Sequence, residues 1–162
     1  MSIPRYKQYI KKCEEFSVCA IECEKGWIGI EPMQKNYGLY HYCVYGTGKF
    51  AVPFQNYTKI NPRDFFDMRD YLNNHVMLEA SEDFYWIGFN TLDKNQDWDG
   101  KLVKNSILTV QKESWMICFD GHPIVNDKKI STLDYAQIYP NKNYEINLNG
   151  ESLLFLLRIN IF

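Results

Sequence analysis

Two histidines, two cysteines and a few carboxylates and arginines carry whatever chemistry this chain of 162 residues can do. His41 lies in the apolar run Leu39–Tyr45, and His75 opens the run His75–Ala80, in which strand alternation puts His75, Met77 and Glu79 on one face. Joined by Glu79 or Glu31, the two histidines would form the mixed imidazole and carboxylate set that Fe, Mn or Ni accepts. Against this, the chain has only three histidines and no His-x-His pair, so the expectation is no metal and no cofactor. Cys43 or Cys118 beside a histidine would make a minimal nucleophile and base. Both sit within apolar runs, where burial is the better account. Asn95–Gly100, NQDWDG, alternates oxygen-bearing side chains as a calcium loop does. The EF-hand pattern needs Asp first and Glu twelfth, and these are Asn95 and Ser106. A solvated linker explains the stretch more simply. Arg63, Arg69 and Arg158 offer planar guanidinium groups that suit a carboxylate or phosphate.

These side chains must be positioned by strands. Trp115–Phe119, Ile124–Val125, Asp134–Tyr139, Tyr144–Leu148 and Leu153–Ile159 are short apolar or alternating runs. Asp120-Gly121, Pro140-Asn141 and Asn149-Gly150 punctuate them as turn and hairpin signals. The first half has the same layout: Val18–Glu24, Gly26–Ile30, Leu39–Tyr45, Lys49–Phe54, then a hairpin of His75–Ala80 and Phe84–Asn90. Asp64-Phe65-Phe66 matches Asp134-Tyr135-Ala136 at an offset of 70, and Glu82–Ile87 matches Glu151–Leu156 at 69. Offsets this close indicate an internal repeat, which places His75 opposite Glu145. Two stretches stand apart. Ile3, Tyr6, Ile10, Cys13 and Phe16 recur at helical spacing, predicting an amphipathic helix over Arg5–Glu15. Residues 61–72 carry an N-cap Asn61, Pro62 and Asp64, which are helix-start signals, where the repeat requires a strand. Residues 91–101 read as a polar linker.

Pro140-Asn141-Lys142-Asn143-Tyr144-Glu145, with Asn149 beyond, has the spacing of the second cupin motif, and the turn at Asp120-Gly121 resembles the end of the first. The chain therefore resembles a compact bicupin. The resemblance implies an all-β fold, a tandem cupin-like antiparallel β-barrel or jelly roll, here with an N-terminal helix, divided into residues 1–92 and 93–162. It departs from the family where the metal would sit: Glu145 replaces the motif-two His, and Ser114 stands where the family has Glu.

A cupin barrel without its metal ligands keeps its cavity. The function expected is binding of a small polar or anionic molecule, with Tyr40, His41, Tyr42, Arg69, His75, Trp115, Tyr135, Tyr139 and Glu145 as ligand-binding residues. One alternative is a cupin-type enzyme, either metal-dependent or a sugar epimerase or isomerase with His41 or His75 and a tyrosine as base and acid. The other is a structural or assembly subunit, of viral origin in one version, in which exposed aromatics make oligomer contacts. A net charge of −2 gives no electrostatic footprint for nucleic acid. No run approaches the roughly 18 apolar residues of a membrane helix, and the N-terminus lacks a signal-peptide core. With five cysteines and no CxxC spacing, the expectation is a cytoplasmic homodimer with reduced thiols.

Overall fold

The computed structural model describes residues 3–12, 16–32, 40–71, 73–91 and 97–160. Among them the regular structure is β-strand throughout, apart from one 3-10 turn. Two compact units follow one another, Met1–Lys94 and Asn95–Phe162. The first holds β1 (Tyr6–Lys12), β2 (Phe16–Cys23), β3 (Ile28–Pro32), β4 (Tyr40–Tyr45), β5 (Gly48–Ala51), β6 (Thr58–Ile60), β7 (Phe65–Asp67), β8 (His75–Ala80) and β9 (Phe84–Thr91). The second holds β10 (Asp97–Leu102), β11 (Ser106–Thr109), β12 (Ser114–Asp120), β13 (Ile124–Val125), β14 (Lys128–Lys129), β15 (Tyr135–Ile138), β16 (Asn143–Asn147) and β17 (Leu153–Asn160).

Each unit is a pair of antiparallel sheets with a core between them. In the first, the sheets run β1-β2-β9-β4-β7 and β3-β8-β5-β6. In the second they run β10-β17-β12-β15 and β11-β16-β13-β14, the same order without a counterpart of β1. Alternation sets which side faces in. Val76, Leu78 and Ala80 of β8 point into the first core with Cys43, Trp86 and Phe50, and Tyr144 and Ile146 of β16, with Leu148 just past its end, point into the second with Met116, Cys118 and Leu154. Fully burying one such aliphatic side chain contributes about 1.5–3 kcal/mol, so a one-residue slip that turned these rows outward would be costly.

The same corner is built twice. Cys43 N–H donates to the Asp64 carbonyl and Arg63 N–H to that of Cys43, while Cys118 N–H donates to the Asp134 carbonyl and Leu133 N–H to that of Cys118. The carboxylates of Asp64 and Asp134 accept from the amides of Asn61 and Ser131, and Arg63 and Leu133 share a left-handed backbone (φ 72° and 66°). A bulge follows each cysteine. Gly46 and Gly121 then turn the chain (φ 80° and 82°), and a Cβ there would lie 1.9 Å from the Asp83 carbonyl or 2.2 Å from Ser152 Oγ. Glycine is required at both.

The stretch read as an N-terminal helix is strand β1 over Tyr6–Lys12, paired with β2 from Tyr6↔Cys23 to Lys12↔Ser17. The apolar stripe that a helix would have buried is exposed at Tyr6 and Ile10, and the ladder on β2 satisfies the backbone instead. Residues 13–15 lie outside the described set. In the ambiguous stretch 61–72, Asp64 caps a turn rather than a helix, and strand β7 and a single 3-10 turn, Arg69–Tyr71, follow. The end of the supposed linker is strand β10, paired with β17 from Asp97↔Asn160 to Leu102↔Phe155. This extended backbone rules out a calcium loop over its described part, Asp97–Gly100; Asn95 and Gln96 lie outside it. The turns at Gly121 and Gly150 and the link Ser81–Asp83 are not hairpins, because the strands they join belong to different sheets, as do those joined by the turn at Gly46.

Candidate functional site

His41 is 3% exposed between the sheets of the first unit. Its ring stacks on Trp86 with centroids 4.9 Å apart, and a Cβ at Gly88, its cross-strand partner, would come within 3.1 Å of Nε2. Burial pushes the imidazole pKa down to about 3. His75 is exposed on the outward face of β8, with Met77 and Glu79 on the same side. The two histidines therefore do not converge. Glu79 is engaged by Lys49 at 3.5 Å, and the side chain of Glu31 is outside the described set. Among the described residues no three His, Cys, Asp or Glu side chains group to hold a metal ion.

The other expected site residues are also dispersed. Tyr40 and Tyr42 are buried on the face of β4 opposite His41, where both rings lie against Phe65 at 6.0 and 6.5 Å. Trp115 is buried on the face of β12 opposite Ser114 and Met116. Tyr135 and Tyr139 are exposed, and Lys142 Nζ lies 5.3 Å from the Tyr139 ring centre. Glu145 is exposed and points away from the core that Tyr144 and Ile146 enter. Arg69 opens the 3-10 turn, and its side chain lies outside the described set. Cys43 and Cys118 are buried at the two corners. Each Sγ donates to two turn carbonyls, those of Tyr45 and Gly46 or of Asp120 and Gly121, at 3.4–3.5 Å. Burial raises the two thiols to about 12 and about 11, which is the opposite of nucleophile activation.

What the second unit does contain is a cleft of about 270 Å³ between its sheets, lined by Lys101, Thr109, Gln111, Ser114, Leu156 and Arg158 among others. The ladder explains the convergence. Ser114 faces Arg158 across β12 and β17, Asp99 faces Arg158 across β10 and β17, and Lys101 faces Leu156 across the same pair. Directly opposed residues project from one face, and this face is the inward one, since Met116 and Leu156 share it with the core. Ser114 is fully buried, and its hydroxyl donates to the Lys112 carbonyl at 2.9 Å. Among these ladder positions two cations stand against one carboxylate, with neutral polar groups above an aliphatic wall, a balance that suits a small anion. Of this set, the sequence marks Arg158 as an anion holder and Ser114 as a departure from the cupin pattern. Lys101 escapes it because residues 91–101 look like linker, although the Gly-Lys-Leu alternation at its end is a strand signal.

No protein-family profile and no curated protein matches the chain. Solved structures do. YhaK from Escherichia coli superposes with a TM-score of 0.65 at 7% identity, covering 96% of this chain and 94% of that one. A cupin 2 conserved barrel domain protein from Leptotrichia buccalis gives 0.53 at 14% identity, covering 99% and 90%. A point mutant of Bacillus subtilis oxalate decarboxylase OxdC gives 0.57 at 8%, covering 89% and 68%. These likenesses span both units, and the fold of this chain is the cupin fold.

Proposed function

We propose that the chain is a metal-free, bicupin-like protein that binds a small anion between the sheets of its second unit. The observation that supports this most is the pairing of Arg158 with Ser114 across the strands that wall the 270 Å³ cleft, with Lys101 at its margin. A guanidinium gives two parallel donors to a carboxylate or phosphate, and the ammonium adds charge. The cleft is smaller than the roughly 300–1,000 Å³ that drug-sized ligands occupy, so the ligand class is a phosphate or short carboxylate. Ser114 stands at the position where the cupin pattern has Glu. A carboxylate there would repel an anion, whereas a hydroxyl tolerates one.

The general-base reading finds less support. A base works best with a pKa near the working pH, and the His41 pKa is held at about 3. Tyr40 and Tyr42 lie across the sheet from it.

Titration of the full chain with inorganic phosphate and with acetate, followed by amide chemical shifts, tests the proposal. Arg158→Gln is expected to weaken binding at least about tenfold, the loss of one charge-assisted pair of hydrogen bonds. Ser114→Glu is expected to abolish it, and His75→Ala, on the outer face of the other unit, to leave it unchanged. Equal affinity in wild type and Arg158→Gln would remove the cleft from consideration.

A further inference from the structure

The internal repeat breaks down at the side of the second unit where β14 and β15 end their sheets. A cleft of about 490 Å³ opens there, sharing no lining residue with the one around Arg158. Its floor is apolar, formed by Val125, Ile130, Ala136 and Ile138, and Tyr135 and Tyr144 flank it. Lys128 and Lys129 stand at its rim as exposed cations. Asp134 also reaches the rim, with its carboxylate engaged by the Ser131 amide.

Comparison within the chain explains why the space exists. The repeated corner makes Asp64 equivalent to Asp134 and Cys43 to Cys118, so the ladder pair His41↔Phe66 corresponds to Met116↔Ala136. Counting on from the same cysteines, past Gly46 and Gly121, Phe50 corresponds to Val125; both face the core. In the first unit this region is full. The Phe50 and Phe66 rings meet edge-on at 5.3 Å, and Tyr71 packs edge-on against Phe50 at 5.5 Å. Tyr71 comes from the 3-10 turn in the link between β7 and β8. The corresponding link between β15 and β16, residues 139–142, is shorter and has no such turn. Two aromatic rings have become Val and Ala and Tyr71 has no counterpart, while Val76 has become Tyr144, which stands at the side of the space left.

We infer that this cleft binds an aryl carboxylate. The ring occupies the space that Phe50, Phe66 and Tyr71 fill in the first unit, and the carboxylate faces Lys128 and Lys129. Apolar walls with a few convergent polar groups are the general form of such sites, and Tyr144, on the inward row of β16, offers its ring to an aromatic guest.

Calorimetric titration of the full chain with 1-naphthoate tests this, with the neutral 1-naphthalenemethanol as a control. Saturable 1-naphthoate binding is expected, about tenfold tighter than that of the alcohol. The exposed double substitution Lys128→Ala/Lys129→Ala is expected to erase that preference and leave the alcohol's affinity unchanged. Ala136→Phe, which restores the ring of the first unit, is expected to abolish binding of both while phosphate binding at Arg158 persists. No saturable binding to wild type, a preference that survives loss of both lysines, or full affinity in a folded Ala136→Phe protein would each overturn the inference. Weakened phosphate binding in Arg158→Gln with 1-naphthoate binding intact would show that the two sites are separate.

Discussion

His41 makes stability depend on pH. In the folded chain its pKa is depressed to about 3, against 6.5 for a free side chain. Between those values the unfolded state takes up a proton that the native state refuses, so stability falls as pH falls below about 6.5. Moving from pH 7 to pH 5 should cost about 2 kcal/mol from this residue alone, at 1.36 kcal/mol per unit of linkage. The second unit has Met116 at the equivalent position, buried in the same kind of core. His41→Met should therefore fold and should flatten that acid slope in denaturant melts measured at pH 7 and pH 5. An unchanged slope would mean that the imidazole is not buried as the packing requires. The sequence shows the alternation that separates His41 from Tyr40 and Tyr42. It does not show what lies on the histidine side, because Trp86 and Gly88 reach it from a strand more than forty residues away. Glu145 fails differently. Its motif spacing suggests an inward ligand, while the alternation of Tyr144, Ile146 and Leu148 already turns it outward.

At the scale of elements, the corners are where sequence punctuation and topology part. Gly46 and Gly121 are legible as turns because φ > 0 favours glycine. Whether a turn folds a strand back beside its predecessor or carries it to the opposite sheet depends on partners distant in sequence, so three turns that read as hairpins are crossings between sheets. The corners also give a graded test. Gly46→Ala meets both a left-handed backbone and the Asp83 carbonyl, and should cost about 2–4 kcal/mol. Gly150→Ala, with φ 97° and open space around it, should cost about 1 kcal/mol. Equal losses in thermal melts would mean that the close approach at Gly46 is relieved by movement of the chain. The N-terminal segment misleads for a related reason: Tyr6 and Ile10 fit a helical stripe and one face of a strand equally well, and the edge of β2 decides between them.

At the scale of the whole molecule, two units with one strand order are visible in the sequence as matching runs, at a register that the strands revise. The corner keeps the offset of 70 at Asp64 and Asp134. Across β8 and β9 the inward rows Val76, Leu78 and Trp86 correspond to Tyr144, Ile146 and Leu154, an offset of 68. An offset of 69 is one residue out, enough to exchange inward and outward faces, and His75 falls opposite Asn143 rather than Glu145. Calorimetric titration of the chelator-treated full chain with inorganic phosphate tests whether the second unit binds a small anion without a metal. Saturable binding is expected at one site per chain, weakened at least about tenfold in Arg158→Gln and unaffected by adding back Mn, Fe or Ni. Binding that appears only once a transition metal is restored, or no saturable binding at all, would contradict it.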